Sequence, residues 1–136
     1  METENTITVL LVDDETANRE LYAEFLSDLG YRFIGHEDGE SALSLIREGA
    51  AIDLVIADYR MPGMDGLEFI QAMRQVLPSV PVIMITAFGS IDSYLQSFSL
   101  GVFEYINKPF SKKEFVRIVK AALHGPGDAD RKIRVA

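Results

Sequence analysis

Residues 54–66 have the sequence LVIADYRMPGMDG, in which four apolar residues are followed by an aspartate and then by a turn-rich loop. An apolar run of this length, bounded by turn-forming residues, predicts a short strand that is buried on both faces. Asp58 would lie at the carboxyl end of this strand, and residues 61–66 would form the loop beyond it. The segment therefore predicts a strand of a parallel sheet that ends in an acid.

Three other apolar segments also end at a charged or hydroxyl residue. They are residues 7–12 before Asp13-Asp14-Glu15, residues 82–85 before Thr86, and residues 105–107 before Lys108. With a further short strand at residues 31–34, five strands alternate with five helical patterns, which predicts a doubly wound α/β fold with right-handed crossovers. Because open parallel sheets bind ligands beyond the carboxyl ends of their strands, these polar side chains are expected to share one crevice.

The helical patterns also predict which residues face the core. For the first helix, helical spacing predicts an inward stripe made of Ala17, Leu21, Phe25 and Leu29, widened by Tyr22 and Leu26. For the fourth helix, it predicts an inward stripe made of Ile91, Tyr94, Leu95 and Phe98. Gly30 and Gly101 are placed to end these two helices, and Ser111 with Glu114 predicts a capping box at the start of the last helix.

The composition limits the classes of protein to consider. A chain of 136 residues, 48% hydrophobic and 25% charged, is typical of one globular domain. The absence of cysteine excludes disulfides and thiolate metal sites and fits a reducing compartment. No apolar run approaches the about 20 residues of a membrane helix, and the first six residues do not resemble a secretory signal. The net charge of −8 argues against nucleic-acid binding, so we expect a cytoplasmic domain that contacts neither membranes nor nucleic acid.

Asp13, Asp14 and Asp58 would bring three carboxylates into the crevice. Like charges at close range raise each other's pKa, so a divalent cation is expected to neutralise them. With oxygen ligands, no cysteine and no well-placed histidine, the set favours Mg²⁺ over Zn²⁺. Since Mg²⁺ commonly binds phosphate oxygens together with carboxylates, the three aspartates also predict a phosphoryl group at this site.

The other residues of the crevice fit phosphoryl transfer. Lys108 supplies a compact positive charge for phosphate oxygens, and the hydroxyl of Thr86 can donate a hydrogen bond to them. Asp58 is the candidate nucleophile, because a carboxylate can form an aspartyl phosphate. Phosphoryl transfer depends mainly on positioning and charge neutralisation, and these residues supply both.

Together, these motifs resemble the receiver domains of two-component response regulators. The resemblance covers about residues 6–123 and rests on four motifs: a strand before Asp13-Asp14-Glu15, Asp58 with its Met-Pro-Gly-Met-Asp-Gly loop, Thr86-Ala87, and Lys108-Pro109-Phe110. It implies a flavodoxin-like sheet of five parallel strands in the order 2-1-3-4-5 with five helices, and a cis bond between Lys108 and Pro109. Residues 1–124 would form the receiver domain, and residues 125–136 a linker or disordered tail.

The resemblance also implies roles for the residues of the crevice. Asp58 would accept a phosphoryl group from the phosphohistidine of a sensor histidine kinase. Asp14 would bind Mg²⁺ directly, Asp13 mostly through water, and Arg60 through its backbone carbonyl. Thr86 and Lys108 would contact the phosphoryl oxygens. The protein would thus be a regulatory phosphoacceptor and not an enzyme, with at most slow self-dephosphorylation.

A conformational switch is implied as well. Thr86 would move toward the phosphoryl group, and Tyr105 would turn inward to fill the space it leaves. The face formed by the fourth helix, fifth strand and fifth helix would then signal to an output domain, a downstream protein or a second copy of the chain. Arg60 and Phe88 lie where family members tune the phosphoryl lifetime. Residues 86–92 and 101–110 are most similar to receivers of enhancer-binding transcription activators.

Three other functions are alternatives to that of a receiver domain. A phosphatase of the haloacid dehalogenase kind needs a second aspartate two residues after the nucleophile, where this chain has Arg60. A flavin or nucleotide carrier needs glycines in the first strand-to-helix turn, where this chain has acids. A pseudo-receiver that serves only as an interaction or dimerisation module stays open, and failure to become phosphorylated would be its sign.

Overall fold

The computed structural model describes residues 6–87 and 89–124, and within them five strands alternate with five helices. The strands are β1 (Thr8–Val12), β2 (Arg32–His36), β3 (Leu54–Asp58), β4 (Val82–Thr86) and β5 (Glu104–Asn107). The helices are α1 (Thr16–Asp28), α2 (Gly39–Arg47), α3 (Gly66–Met73), α4 (Ile91–Ser99) and α5 (Lys112–His124). Strand–helix alternation of this kind gives the doubly wound fold that was predicted.

The five strands form one parallel sheet in the order β2-β1-β3-β4-β5, which confirms the predicted topology. The central strands β1 and β3 pair from Val9 with Leu54 to Val12 with Ala57. The chain winds from β1 to β2 on one side and continues with β3 on the other side of β1. The crevice at this reversal lies beyond the carboxyl ends of β1 and β3, where ligand sites of open sheets form.

Side chains from both faces of the sheet build two buried clusters. Along β1, Leu10 and Val12 join the cluster covered by α2 and α3, whereas Val9 and Leu11 join the cluster covered by α1 and α5. Successive residues of a strand point to opposite faces, so a strand covered on both faces needs an apolar residue at every position. The uninterrupted apolar runs in the sequence have this origin.

The predicted inward stripe of α1 is partly wrong. Tyr22 and Leu26 are buried, but Ala17 and Leu21 are exposed, and 44% of the surface of Leu21 is accessible. The ring of Tyr22 stacks on that of Phe115 of α5 at 5.4 Å between centroids. Tyr22 and Leu26 thus pack into the buried cluster between α1, α5 and the sheet.

The predicted inward stripe of α4 is wrong. The exposed fractions of its members are 77% for Ile91, 42% for Tyr94, 58% for Leu95 and 49% for Phe98. Ser93 and Ser97 are the buried residues of this helix. Their hydroxyls are satisfied, since Ser93 Oγ is 2.6 Å from the hydroxyl of Tyr105 and Ser97 Oγ donates to the carbonyl of Tyr94. Helical spacing predicted an amphipathic helix correctly, but the face that packs inward is the one with the small serine side chains.

Arg74 ties the end of α3 to the end of α4. Its guanidinium donates to the carbonyls of Leu77 and Val80 in the loop before β4, and to those of Leu100 and Gly101 just after α4. Burial lowers the pKa of Arg74 below its usual value. Four backbone acceptors compensate for the cost of burying this charge, and they fix the position of the α4 end.

Several local predictions are confirmed. Gly30 and Gly101 follow α1 and α4 with φ values of +80° and +78°, a region that favours glycine. Ser111 and Glu114 exchange the two hydrogen bonds of a capping box before α5.

None of the helices in residues 6–87 and 89–124 combines the length and apolarity needed to cross a bilayer. Phe88 and residues 125–136, about which the sequence also made predictions, lie outside the described residues.

Candidate functional site

The fold brings the three predicted aspartates together at the crevice. Asp13 and Asp14 directly follow β1, and Asp58 is the last residue of β3. One carboxylate oxygen from each residue lies within 4.8 Å of the others. Asp13 and Asp58 are buried, whereas Asp14 is exposed. Three oxygen ligands at this spacing can hold a hard divalent cation at the solvent boundary.

Lys108 and Thr86 occupy the adjacent strand ends. The ammonium of Lys108 is 3.8 Å from Asp58 Oδ2, and its backbone N–H donates to the carbonyl of Thr86 at 2.9 Å. Thr86 ends β4 and is fully buried. The bond between Lys108 and Pro109 is cis, as predicted. A cation and a hydroxyl residue thus stand next to the acidic cluster.

Burial and mutual repulsion perturb the two inner carboxylates. The pKa of Asp58 is raised to about 6, first by burial and then by the negative charge of Asp13. Lys108 and the backbone N–H of Arg60, 3.2 Å from Asp58 Oδ1, oppose this rise. Burial also raises the pKa of Asp13. One lysine does not balance two buried carboxylates, so the site favours a further cation.

Arg60 lies in the loop after β3, with its side chain at the surface. A cleft of about 410 Å³ opens there between the β1–α1 and β3–α3 loops; it is lined by Asp14, Tyr59, Arg60, Met61, Pro62 and Asp65. Asp14 belongs to both the cleft and the acidic cluster, so the cleft leads to the cluster from solvent. The carbonyl of Arg60 as a metal ligand stays a prediction.

Tyr105 is buried on β5, where its ring meets that of Tyr94 edge-on at 5.5 Å. Its hydroxyl lies 2.6 Å from Ser93 Oγ. A Cβ atom on Gly89 would come within 2.5 Å of that hydroxyl, so glycine makes room for the tyrosine here. The side chain of Tyr105 is thus buried against Gly89 and α4 in this structure. The switch roles of Thr86 and Tyr105 stay predictions.

The sequence analysis missed two residues of α1 that contact Asp13. The side-chain amide of Asn18 donates to Asp13 Oδ2 at 3.2 Å and to Glu15 Oε1 at 3.0 Å. Arg19 donates to the backbone carbonyl of Asp13 at 2.6 Å. The available signal was position: Asn18 lies four residues after Asp14, within one turn of the helix that begins beside the acidic pair.

A family model described as the response regulator receiver domain matches residues 9–120. The chain belongs to the response regulator receiver domain family. Receiver domains are regulatory phosphoacceptor modules that generally bind Mg²⁺ at an acidic cluster, and response regulators interact with histidine kinases and output domains. This receiver domain has the corresponding three carboxylates close together.

Individual relatives agree with this assignment. The chain is 36% identical to the phosphate regulon transcriptional regulatory protein PhoB of Pseudomonas aeruginosa, over 94% of the chain and 57% of PhoB. It is 33% identical to the DNA-binding transcriptional regulator NtrC of Salmonella typhimurium, over 85% of the chain and 24% of NtrC. The non-phosphorylated HemR receiver domain from Leptospira biflexa superposes with a TM-score of 0.82 at 29% identity, over 89% of this chain and 97% of that one. The chain thus spans about half or less of the length of most of the full-length regulators it matches.

Proposed function

We propose that this receiver domain is a phosphorylation-dependent switch in which Asp58 accepts a phosphoryl group from the phosphohistidine of a sensor histidine kinase. The observation that carries the proposal is the arrangement around Asp58. This buried carboxylate has two further carboxylates within 4.8 Å and the ammonium of Lys108 at 3.8 Å. A nucleophile, a metal-binding set and a phosphate-binding cation thus meet at one point.

In the proposed reaction, an oxygen of Asp58 forms a bond to phosphorus while the phosphorus–nitrogen bond of phosphohistidine breaks, and the electron pair leaves with the imidazole. With a pKa of about 6, Asp58 is mostly ionised at pH 7 and therefore nucleophilic. Lys108 and Thr86 bind the phosphoryl oxygens. The same aspartyl phosphate is lost by slow hydrolysis, and Arg60 and Phe88 tune that rate.

The donor set at the crevice fits Mg²⁺. All three side chains offer carboxylate oxygens, and one of them, Asp14, is exposed so that a bound ion can keep water ligands. Asp14 would hold the ion directly, Asp13 mostly through water, and Arg60 through its carbonyl. When bound, Mg²⁺ supplies positive charge that offsets the carboxylates and the phosphoryl oxygens.

Output is proposed to pass through the face formed by α4, β5 and α5. Thr86 moves toward the phosphoryl group, and Tyr105 and α4 respond. Three large apolar side chains of α4, Ile91, Leu95 and Phe98, stand exposed on this face, which supports contact with a protein. The partner is an output domain, a separate protein or a second copy of the chain in the cytoplasm. PhoB and NtrC carry the names of transcriptional regulators, which supports a transcriptional output.

Residues 1–124 constitute the receiver domain in this proposal, and residues 125–136 are its linker or tail. The family model ends at residue 120, which supports a boundary close to there.

Mass spectrometry of the intact protein tests the proposal. After incubation with acetyl phosphate and Mg²⁺, we expect one phosphoryl group on the wild type and none on Asp58→Asn, which keeps the shape of the side chain but lacks the nucleophile. Chelation of Mg²⁺ should abolish the gain. Asp92→Asn, which changes an exposed acid of α4 in the same way, is the matched control and should be phosphorylated normally.

Absence of phosphorylation in the wild type would instead support a pseudo-receiver that acts only as an interaction module. A short phosphoryl lifetime can give the same result, so the experiment is repeated with beryllofluoride, a stable mimic of the phosphoryl group. Failure to bind either reagent would contradict the proposal, and so would phosphorylation of Asp58→Asn at the wild-type level.

A further inference from the structure

We infer that Asn18 is a positioning residue for the acidic cluster: its side-chain amide fixes the carboxylate of Asp13 and thereby sets the affinity of the cluster for Mg²⁺. The inference rests on the proposed function, since it concerns the ion that phosphorylation of Asp58 would use. It assigns to α1 a part in the site that the sequence motifs do not specify.

The amide of Asn18 lies between two acids. Its Nδ2 atom is 3.2 Å from Asp13 Oδ2 and 3.4 Å from Asp13 Oδ1, and 3.0 Å from Glu15 Oε1. An amide nitrogen carries two hydrogens, so one can serve each acid. The side chain therefore bridges a buried carboxylate of the cluster and an exposed carboxylate at its edge.

Among the described residues, the other hydrogen bonds of Asp13 hold its Oδ1 atom and its backbone, and Asn18 holds its Oδ2 atom. Asp13 Oδ1 accepts the backbone N–H of Glu15 at 2.9 Å, and the backbone carbonyl of Asp13 accepts from Arg19. These contacts fix the main chain and one carboxylate oxygen. The second oxygen, Oδ2, is held by Asn18 at 3.2 Å. Because a carboxylate held at one oxygen can still turn about its last torsion, Asn18 restricts the plane in which Asp13 presents its lone pairs.

The neutrality of Asn18 matters as much as its position. A lysine or arginine there would neutralise Asp13 and compete with a metal ion, whereas an amide orients the carboxylate and leaves its charge available. The same amide also ties the side chain of Glu15, an additional negative charge beside the site. Partners that orient metal ligands in this way typically change metal affinity by about 10- to 100-fold when they are removed.

Direct Mg²⁺ titration of Asn18→Leu tests the inference. Leucine has nearly the same branching and favours a helix, but it cannot donate a hydrogen bond. We expect the dissociation constant for Mg²⁺ to rise about tenfold, while phosphorylation by acetyl phosphate recovers at saturating Mg²⁺. The melting temperature without Mg²⁺ should stay close to that of the wild type, because Asn18 is only partly buried.

The matched control is Thr16→Ala. Thr16 lies in the same turn of α1 and its hydroxyl accepts from Arg19 at 3.2 Å, so its loss perturbs that turn while the amide of Asn18 stays in place. We expect this variant to bind Mg²⁺ as the wild type does. Equal weakening in Thr16→Ala and Asn18→Leu would assign the effect to the helix and overturn the inference.

The remaining outcomes separate the inference from the proposed function. If the wild type binds Mg²⁺ and is phosphorylated while Asn18→Leu and Asn18→Ala both bind Mg²⁺ within about twofold of it, only the inference about Asn18 fails. If the wild type itself neither binds Mg²⁺ nor accepts a phosphoryl group, the proposed function fails and the inference fails with it.

Discussion

At the scale of single residues, Asp58 has opposing requirements. The proposed reaction requires an ionised Asp58, yet this carboxylate is buried beside Asp13, and both its burial and the charge of Asp13 favour the protonated form. Lys108, 3.8 Å away, offsets only part of this cost. The site is therefore under electrostatic strain until a cation binds, and this strain is measurable as a pH dependence of folding.

We expect Asp58 to make the metal-free protein less stable as pH rises from about 4 to about 7. The folded pKa of about 6 lies above the unperturbed value of 3.8, so between these values the folded state binds more protons than the unfolded state. Stability is then highest below pH 3.8 for this group and is lost as pH rises through 6. The two pKa values correspond to at most about 3 kcal/mol, and residual solvent contact reduces this to about 1–2 kcal/mol.

Urea unfolding at pH 4 to 7 in the presence of a chelator measures this effect. The stability of the wild type relative to Asp58→Asn should fall over this range, because the variant cannot titrate at position 58. Asp92→Asn, an exposed control, should follow the wild type. Parallel pH profiles for wild type and Asp58→Asn would show that Asp58 is not perturbed by its surroundings.

At the scale of secondary structure elements, α4 reverses the usual arrangement of an amphipathic helix, in which apolar side chains face the core. It places Ser93 and Ser97 inward and its large apolar side chains outward. Its N-terminal half is joined to β5 by the hydrogen bond between Ser93 and Tyr105, and the carbonyls just after it are held by Arg74. The position of α4 thus depends on hydrogen bonds near its two ends more than on the packing of large apolar side chains.

We expect Ser93→Ala to cost about 1–3 kcal/mol of unfolding free energy, because it leaves the buried hydroxyl of Tyr105 without this partner. Ser97→Ala is the matched control, since it also removes a buried hydroxyl from the same face of α4. Among the described residues, Ser97 donates only to the carbonyl of Tyr94 within its own helix, so its replacement should cost less than about 1 kcal/mol.

Urea unfolding of both variants, together with Tyr105→Phe and the Ser93→Ala/Tyr105→Phe double variant, completes a thermodynamic cycle. A coupling energy of about 1 kcal/mol between Ser93 and Tyr105 is expected. Additive losses in the double variant would mean that the two hydroxyls do not stabilise each other.

At the scale of the whole molecule, the topology of the sheet assembles the site. Asp13 and Asp58 are 45 residues apart in the chain, but they become neighbours because β1 and β3 pair at the centre of the sheet. Lys108 directly follows β5, the last strand of the sheet in the chain, and so also lies at this carboxyl edge of the sheet. A ligand that bridges these strand ends binds only the folded chain, so its binding energy adds to the stability of the entire domain.

Mg²⁺ should therefore raise the melting temperature of the wild type. At about 100 times the dissociation constant, an ion that binds only the native state stabilises it by about 2.7 kcal/mol, which corresponds to a rise of several degrees for a domain of this size. Asp14→Ala should show a much smaller rise, because the variant lacks one of the proposed metal ligands. Thermal unfolding followed by circular dichroism measures both.

Glu24→Ala, which removes an exposed acid elsewhere on α1, controls for a general effect of negative surface charge. It should respond to Mg²⁺ as the wild type does. The same rise in all three proteins would exclude Asp14 from the metal site and indicate non-specific binding to the acidic surface.

The sequence by itself determined the α/β fold class, the polar residues at the ends of the strands, and the family. These features have local signals: apolar runs mark buried strands, Gly30 and Gly101 mark helix ends, and Asp58 and Lys108 follow strands whose carboxyl ends share one edge. Periodicity and turn chemistry are properties of neighbouring residues, so they can be read without knowing what lies across the fold.

Only the tertiary structure decided which face of α4 turns inward and where Arg74 donates. Helical spacing defines an amphipathic helix but not the partner it meets, and the hydroxyl of Tyr105 made the serine face of α4 the buried one. The contacts of Arg74 join residues up to 27 positions apart. Such contacts depend on how elements distant in the chain pack, and no local pattern of residues encodes them.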